Sequence, residues 1–281
     1  MPMSTTAELV DQAVRRGGAV AAFNVVTLEH AEGIIAGAEQ RSRAVILQVS
    51  ENAVAYHGRD PAPLGAALHA LASDARVPIA LHLDHVEDES LLRQDGLRSF
   101  SSVMVDAGRL PYADNVAQTA AATQALHALG MFVEAELGYV GGKESQTTSA
   151  HVPGTRTDPD QAREFVLATQ VDALAVAVGS SHAMTTQTAQ LDHDLIARLA
   201  AAVPVPLVLH GSSGVPTVEL RRAVGAGIVK INIGTALNVA FSSAVRRVLS
   251  DERIVDPRIY LAEARSAVAL TVANLLGVLS D

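Results

Sequence analysis

The chain has 281 residues, no cysteine and a formal charge of −9 at pH 7. Disulfides and thiolate metal sites are therefore excluded, and any transition metal must be held by histidine and carboxylate. The negative balance, without basic runs interleaved with aromatics, argues against a nucleic-acid surface and leaves any anionic substrate to local groups. No stretch has the roughly 18 uninterrupted apolar residues of a membrane span, and the start MPMSTTAELVDQAVRR lacks the basic-then-apolar order of a signal peptide. The expectation is a soluble cytoplasmic protein with no membrane partner.

In chain order, short β-branched runs predict strands at residues 19–25, 44–50, 78–85, 101–107, 132–138, 173–179, 206–212 and 228–234. Helical periodicity lies between them, for example at 28–41, 112–129, 159–169, 192–201 and 235–249. Strands alternating with helices imply a parallel sheet, and eight of them in this length favour closure into one (β/α)8 TIM barrel spanning 1–281 as a single domain. Residues 257–279 add a C-terminal helical segment that eight units leave over, expected to cover the barrel or a neighbouring subunit.

Between these elements, GYVGGKESQTTSAHVPGTRT (138–157) has no strong periodicity and exceeds the usual loop length of about 12–15 residues. It reads as a lid, with Gly141 and Gly142 as a hinge and Glu144 just beyond. The Gly-rich GAGIVKINIG from Gly225 precedes a strand instead of following one and carries Lys230 at its sixth position, so a dinucleotide site is rejected.

Barrel enzymes carry their chemistry at the carboxyl ends of the strands. There the third strand ends in Asp84-His85, the sixth runs into His182, and the seventh ends in His210. Strand four offers Asp106, strand five Glu134 and Glu136, and strand eight Asn232 followed by Gly234 and Thr235. Three histidines at one face can converge on a catalytic zinc ion with an open fourth position. His82 shares strand parity with Asp84 and is read as an interior hydrogen-bonded residue; His30, His57, His69, His127, His151 and His193 fall on helices or loops.

The motifs AFNVV, ILQVSENAVAYHG, LHLDH, VMVDA, VEAELGYVGGKE, LAVAVGSSHA, LVLHGSSGVP and KINIGT resemble, in order and over nearly the whole chain, those of class II fructose-bisphosphate and tagatose-bisphosphate aldolases. The resemblance implies zinc-dependent cleavage of a ketose 1,6-bisphosphate, fructose 1,6-bisphosphate first, into dihydroxyacetone phosphate and glyceraldehyde 3-phosphate. It assigns zinc to His85, His182 and His210, acid/base exchange with the C4 hydroxyl to Asp84, and proton transfer at the triose carbon to Glu144. It assigns a phosphate cradle to Gly211, Ser213, Asn232, Gly234 and Thr235, and further substrate contacts to Asn24 and Ala183. Ser50 matches a contact to the second phosphate, whose cation would be Arg258 or Arg265, either of which can equally be a solvated helix charge.

A second, mobile zinc position on Asp106 and Glu136, a monovalent cation (Na+ or K+) near the phosphate, and a homodimer or homotetramer complete what the resemblance implies. The chain departs from the family at Ala183, where Gly is usual after the second histidine, at Gly108-Arg109, where Ser-His is common, and at Lys143. These departures bear on substrate preference. Other readings stay open: a tagatose-type or other ketose-phosphate substrate, a Schiff-base aldolase on Lys230, a zinc hydrolase, and a sugar-phosphate binder without catalysis.

Overall fold

In a computed structural model, which describes residues 3–138 and 156–279, the eight expected strands are present. They are β1 (Val20–Asn24), β2 (Val45–Ser50), β3 (Ile79–Val86), β4 (Ser102–Val105), β5 (Phe132–Leu137), β6 (Ala173–Val176), β7 (Leu207–Leu209) and β8 (Ile228–Ile233). Each pairs in parallel with the next, and β8 returns to β1 to close the barrel. Ten α-helices lie among the described residues: α1 (Thr6–Arg15), α2 (Leu28–Gln40), α3 (Glu51–Tyr56), α4 (Pro61–Asp74), α5 (Tyr112–His127), α6 (Pro159–Thr169), α7 (His193–Ala202), α8 (Thr217–Ala226), α9 (Thr235–Val248) and α10 (Pro257–Val278).

Successive strand residues point to opposite faces, and that alternation divides the apolar residues into two cores. Phe23, Leu47, Leu81, Val103 and Val133 face outward and pack in one large cluster with helix residues such as Ile34, Leu68 and Phe165. Val20, Ala22, Ile46 and Ala80 form a second cluster inside the barrel, plugged from below by Leu9, Val10 and Ala13 of α1. A capping box starts α1: Thr5 accepts from the Glu8 N–H, and the Glu8 carboxylate accepts from the Thr5 N–H. The helix is also tied to the floor by a hydrogen bond of 2.5 Å between the Thr6 and Ser102 hydroxyls.

Two differences from the sequence expectation have local causes. The connection from β3 to β4 carries only short 3-10 turns, Leu91–Arg93 and Asp95–Ser99, because it lies flat against α4, so close that a Cβ on Gly96 would stand 2.5 Å from the Ala62 nitrogen. Strand β6 ends at Val176 because Ala177 exchanges its backbone hydrogen bonds with Thr157 instead of a neighbouring strand.

The C-terminal helix α10 packs on α2 and α9 and buries Val268, Val272 and Leu276. Gly33 and Gly37 of α2 make this approach possible, since a Cβ at either would come within 3 Å of the α10 backbone, 2.8 Å from the Arg265 carbonyl and 2.5 Å from the Ala269 carbonyl. By length and mean hydropathy (1.3) α10 resembles a membrane span. Its place against α2 and α9, with the Arg41 guanidinium on the Ala273 carbonyl at 2.8 Å, makes it a covering helix of the barrel.

Candidate metal centre and active-site pocket

Inside the barrel the alternate residues change from apolar to polar toward the carboxyl ends. Asn24, Gln48 and His82 stand side by side across β1, β2 and β3, and Ser50 pairs with Asp84 one step higher. A pocket of about 590 Å³ opens above them. Asn24, Ser50, Asp84 and His85 line one side, and His182 and Ala183 follow after β6. Gly211, Ser213, Asn232, Gly234 and Thr235 line the β7 and β8 side.

In a regular strand Asp84 and His85 would face opposite sides. His85 instead adopts a left-handed backbone (φ 53°), and the β3–β4 register shifts between Leu83 and Val86, so this bulge turns both side chains to the pocket. Ala183 is also left-handed (φ 58°), the conformation in which glycine carries no penalty. Gly211 (φ 67°) is held by contact as well, since a Cβ there would meet the Ser181 carbonyl carbon and oxygen at 2.6 Å.

His85, His182 and His210 bring one nitrogen each to within 4.8 Å of one another. Their rings are close to perpendicular, with centroids 4.8–5.7 Å apart. The outward nitrogens of two rings are on carboxylates: His85 Nδ1 is 2.8 Å from Asp106 and His210 Nε2 is 2.8 Å from Glu134. A carboxylate accepts, so each of those nitrogens carries the proton and each inward nitrogen carries a lone pair. The two inward nitrogens face each other at 3.0 Å, an arrangement that repels unless a cation is shared between them. Burial, the largest influence, and His85 hold His210 below its ordinary pKa against the pull of Glu134, which favours the neutral ring a metal needs. The donor set therefore fits a tetrahedral zinc ion with an open position.

Behind these histidines Glu134 is fully buried and bridges His210 to Lys230, whose Nζ lies 2.7 Å away. Burial opposes its charge, yet Lys230 and His210 bring its pKa down to about 2. For Asp84 too, burial is the largest influence and opposes ionisation; His85, His82 and His210 outweigh it and hold the carboxyl well below the usual range. Gln48 spans the site, donating from Nε2 to Asn24 at 2.7 Å and to Asp84 at 3.2 Å.

Not every expected residue meets this pocket. Arg258 pairs with Asp256, and Arg265 with Glu32 at 2.7 Å; neither lines it. Asp106 is hydrogen-bonded to the outward nitrogen of His85, Glu136 lies 3.8 Å from the inward Nδ1 of His210, and neither carboxylate lines the pocket. Lys230 is enclosed in its ion pair and does not line the pocket. Glu144, Lys143, the Gly141–Gly142 hinge and His151 lie outside the described residues. Sequence reasoning names Glu134 as a strand-five candidate and Lys230 as a Schiff-base alternative but does not pair them, and it assigns no role to Gln48, although a polar residue at an inward position of an apolar strand is the signal that marks it. His82 takes the interior place expected of it, 2.7 Å from the Ser102 hydroxyl.

The family model described as Fructose-bisphosphate aldolase class-II matches residues 4–281. A fructose-bisphosphate aldolase of Thermus caldophilus is 38% identical over 296 residues, covering 96% of this chain and 95% of that protein. Among solved structures, the YdjI aldolase of Escherichia coli K12 is 31% identical with a TM-score of 0.85, covering 99% and 97% of the two chains. The fructose-bisphosphate aldolase of Campylobacter jejuni, 22% identical, shares the fold with a TM-score of 0.83 over 99% of this chain and 95% of that one.

Proposed function

The chain belongs to the class-II fructose-bisphosphate aldolase family and is thus a lyase acting on sugar phosphates; from that premise we propose that it cleaves fructose 1,6-bisphosphate, reversibly, with zinc held by His85, His182 and His210. The observation that carries this reading is the pair of inward imidazole nitrogens 3.0 Å apart, each ring anchored on a carboxylate, with Asp84 beside them. A zinc ion bound there supplies a Lewis acid for the negative charge left when the C3–C4 bond breaks.

The chain's own residues do the rest. Asp84, ionised and held by Gln48, takes the C4 hydroxyl proton as the bond breaks and returns it in the condensation direction. Asp106 and Glu134 keep the imidazoles oriented. The dihydroxyacetone phosphate end belongs at the start of α9, where Gly234 and Thr235 face the pocket beside Gly211 and Ser213 and helix N–H groups favour an anion. Asn232 completes that phosphate cradle, Asn24 and the Ala183 N–H contact the sugar between the two ends, and Ser50 lies toward the far phosphate. Glu144 is the proposed proton donor to the triose carbon.

The test is cleavage of fructose and tagatose 1,6-bisphosphates with and without a chelator. Activity that disappears with the chelator, returns with zinc and favours the fructose isomer is expected. Full activity in the chelator, destroyed by borohydride plus substrate, would move the reaction to Lys230, and hydrolysis without triose exchange would make the protein a hydrolase.

A further inference from the structure

Resting on that reading, we infer that Arg109 is the specificity-determining cation for the aldehyde half of the substrate, holding an anionic group at its far end. Among the described residues that line the pocket, Arg109 is the one lysine or arginine. Neither arginine expected to meet the far phosphate, Arg258 or Arg265, lines this pocket. Three acidic residues, Glu51, Asp84 and Glu87, line the same pocket within a chain of charge −9. Among the described side chains on that side of the pocket, Arg109 is therefore the one that offsets the repulsion an anion meets from these carboxylates.

The barrel order decides which end Arg109 reads. In a ring of eight strands, β4 lies opposite β8. A phosphate held after β7 and β8 at Ser213 and Thr235 directs the remainder of the molecule past the histidines toward the β3 and β4 rim. Arg109 occupies that rim. It sits in a turn closed by the Leu110 N–H on the Ala107 carbonyl at 3.0 Å, three residues after the Asp106 that orients His85. Its guanidinium reaches Glu87 at 3.4 Å, and the two side chains remain 53% and 36% exposed. An ion pair this exposed is worth little, so a substrate anion can take the place of Glu87 at small cost. The planar guanidinium suits a phosphate and a carboxylate alike through paired N–H bonds.

The experiment is condensation of dihydroxyacetone phosphate with three acceptors: glyceraldehyde 3-phosphate, tartronate semialdehyde, which ends in a carboxylate, and neutral glyceraldehyde. Wild type, Arg109→Ala and Arg109→Lys are compared as zinc-loaded full chains. For Arg109→Ala the ratio of kcat/KM for an anionic over the neutral acceptor should fall about 10- to 100-fold, the worth of one charge-assisted contact. The change should appear mainly in the acceptor KM, and Arg109→Lys should recover part of it. A fall confined to the phosphate, or confined to the carboxylate, supports the inference and identifies the natural anion. An unchanged ratio, or an equal loss on all three acceptors, overturns it. The underlying reading fails separately: wild type would then not exchange a carbon-bound proton of dihydroxyacetone phosphate with solvent.

Discussion

On the inward face of the same three strands, Ala22, Ile46 and Ala80 pack against α1 at the floor of the barrel, whereas Asn24, Gln48 and His82 occupy the next inward positions toward the mouth. Below, apart from the Thr6–Ser102 hydroxyl bond, the packing is between apolar side chains, a non-directional interaction that tolerates adjustment. Above, almost every inward side chain is polar and held by named partners: Gln48 by Asn24 and Asp84, Glu134 by Lys230 and His210, His85 by Asp106. Two residues along a strand thus separate the part that stabilises the barrel from the part to which the chemistry is proposed to belong. The mouth also holds two left-handed non-glycine residues, His85 and Ala183, a strain that the packed floor and outer shell over-determine.

That contrast is broken or sharpened by four substitutions, in falling order of effect. Asp84→Ala should lower the cleavage rate by roughly two to four orders of magnitude, the usual span for a positioned acid or base, while zinc content by metal analysis stays at the wild-type level; loss of the metal would make Asp84 part of the ligand set. Lys230→Met leaves the buried Glu134 without its cation and should cost about 3–5 kcal/mol in chemical denaturation, with weakened zinc affinity because the carboxylate that orients His210 is itself no longer held. Leu9→Ala opens a cavity in the floor and should cost about 2–5 kcal/mol of stability with kcat of the folded protein unchanged. A fall in kcat there comparable to that of Asp84→Ala would erase the distinction between floor and mouth. Ala183→Gly relieves a left-handed alanine and should raise stability by about 1 kcal/mol, read as a small increase in Tm; a decrease would mean that the methyl group packs favourably.

Much of this is legible before folding. The strand runs were visible because a strand buried on both faces must be apolar along its length, and the histidines were visible because they interrupt such runs at their ends. The Gly211 turn was legible in the same way. The floor helix α1 was not assigned, because a short amphipathic stretch before the first strand does not say which end of the barrel it plugs. Arg258 and Arg265 drew attention as cations on a helix near the family's expected place, yet each is paired at the outer surface, whereas Arg109 looked like a departure and lines the pocket.

By itself the order of residues determined the elements, the parallel closed sheet and the set of strand-end groups, since hydrophobic periodicity and chain connectivity act over a few neighbours at a time. Tertiary structure alone decided which of those groups meet: the bulge that turns His85 beside Asp84, the carboxylates that orient its ring and that of His210, and the enclosure of Lys230 by Glu134. Such contacts join residues up to 96 positions apart, and their strength depends on exclusion of water, a property no local stretch of chain possesses.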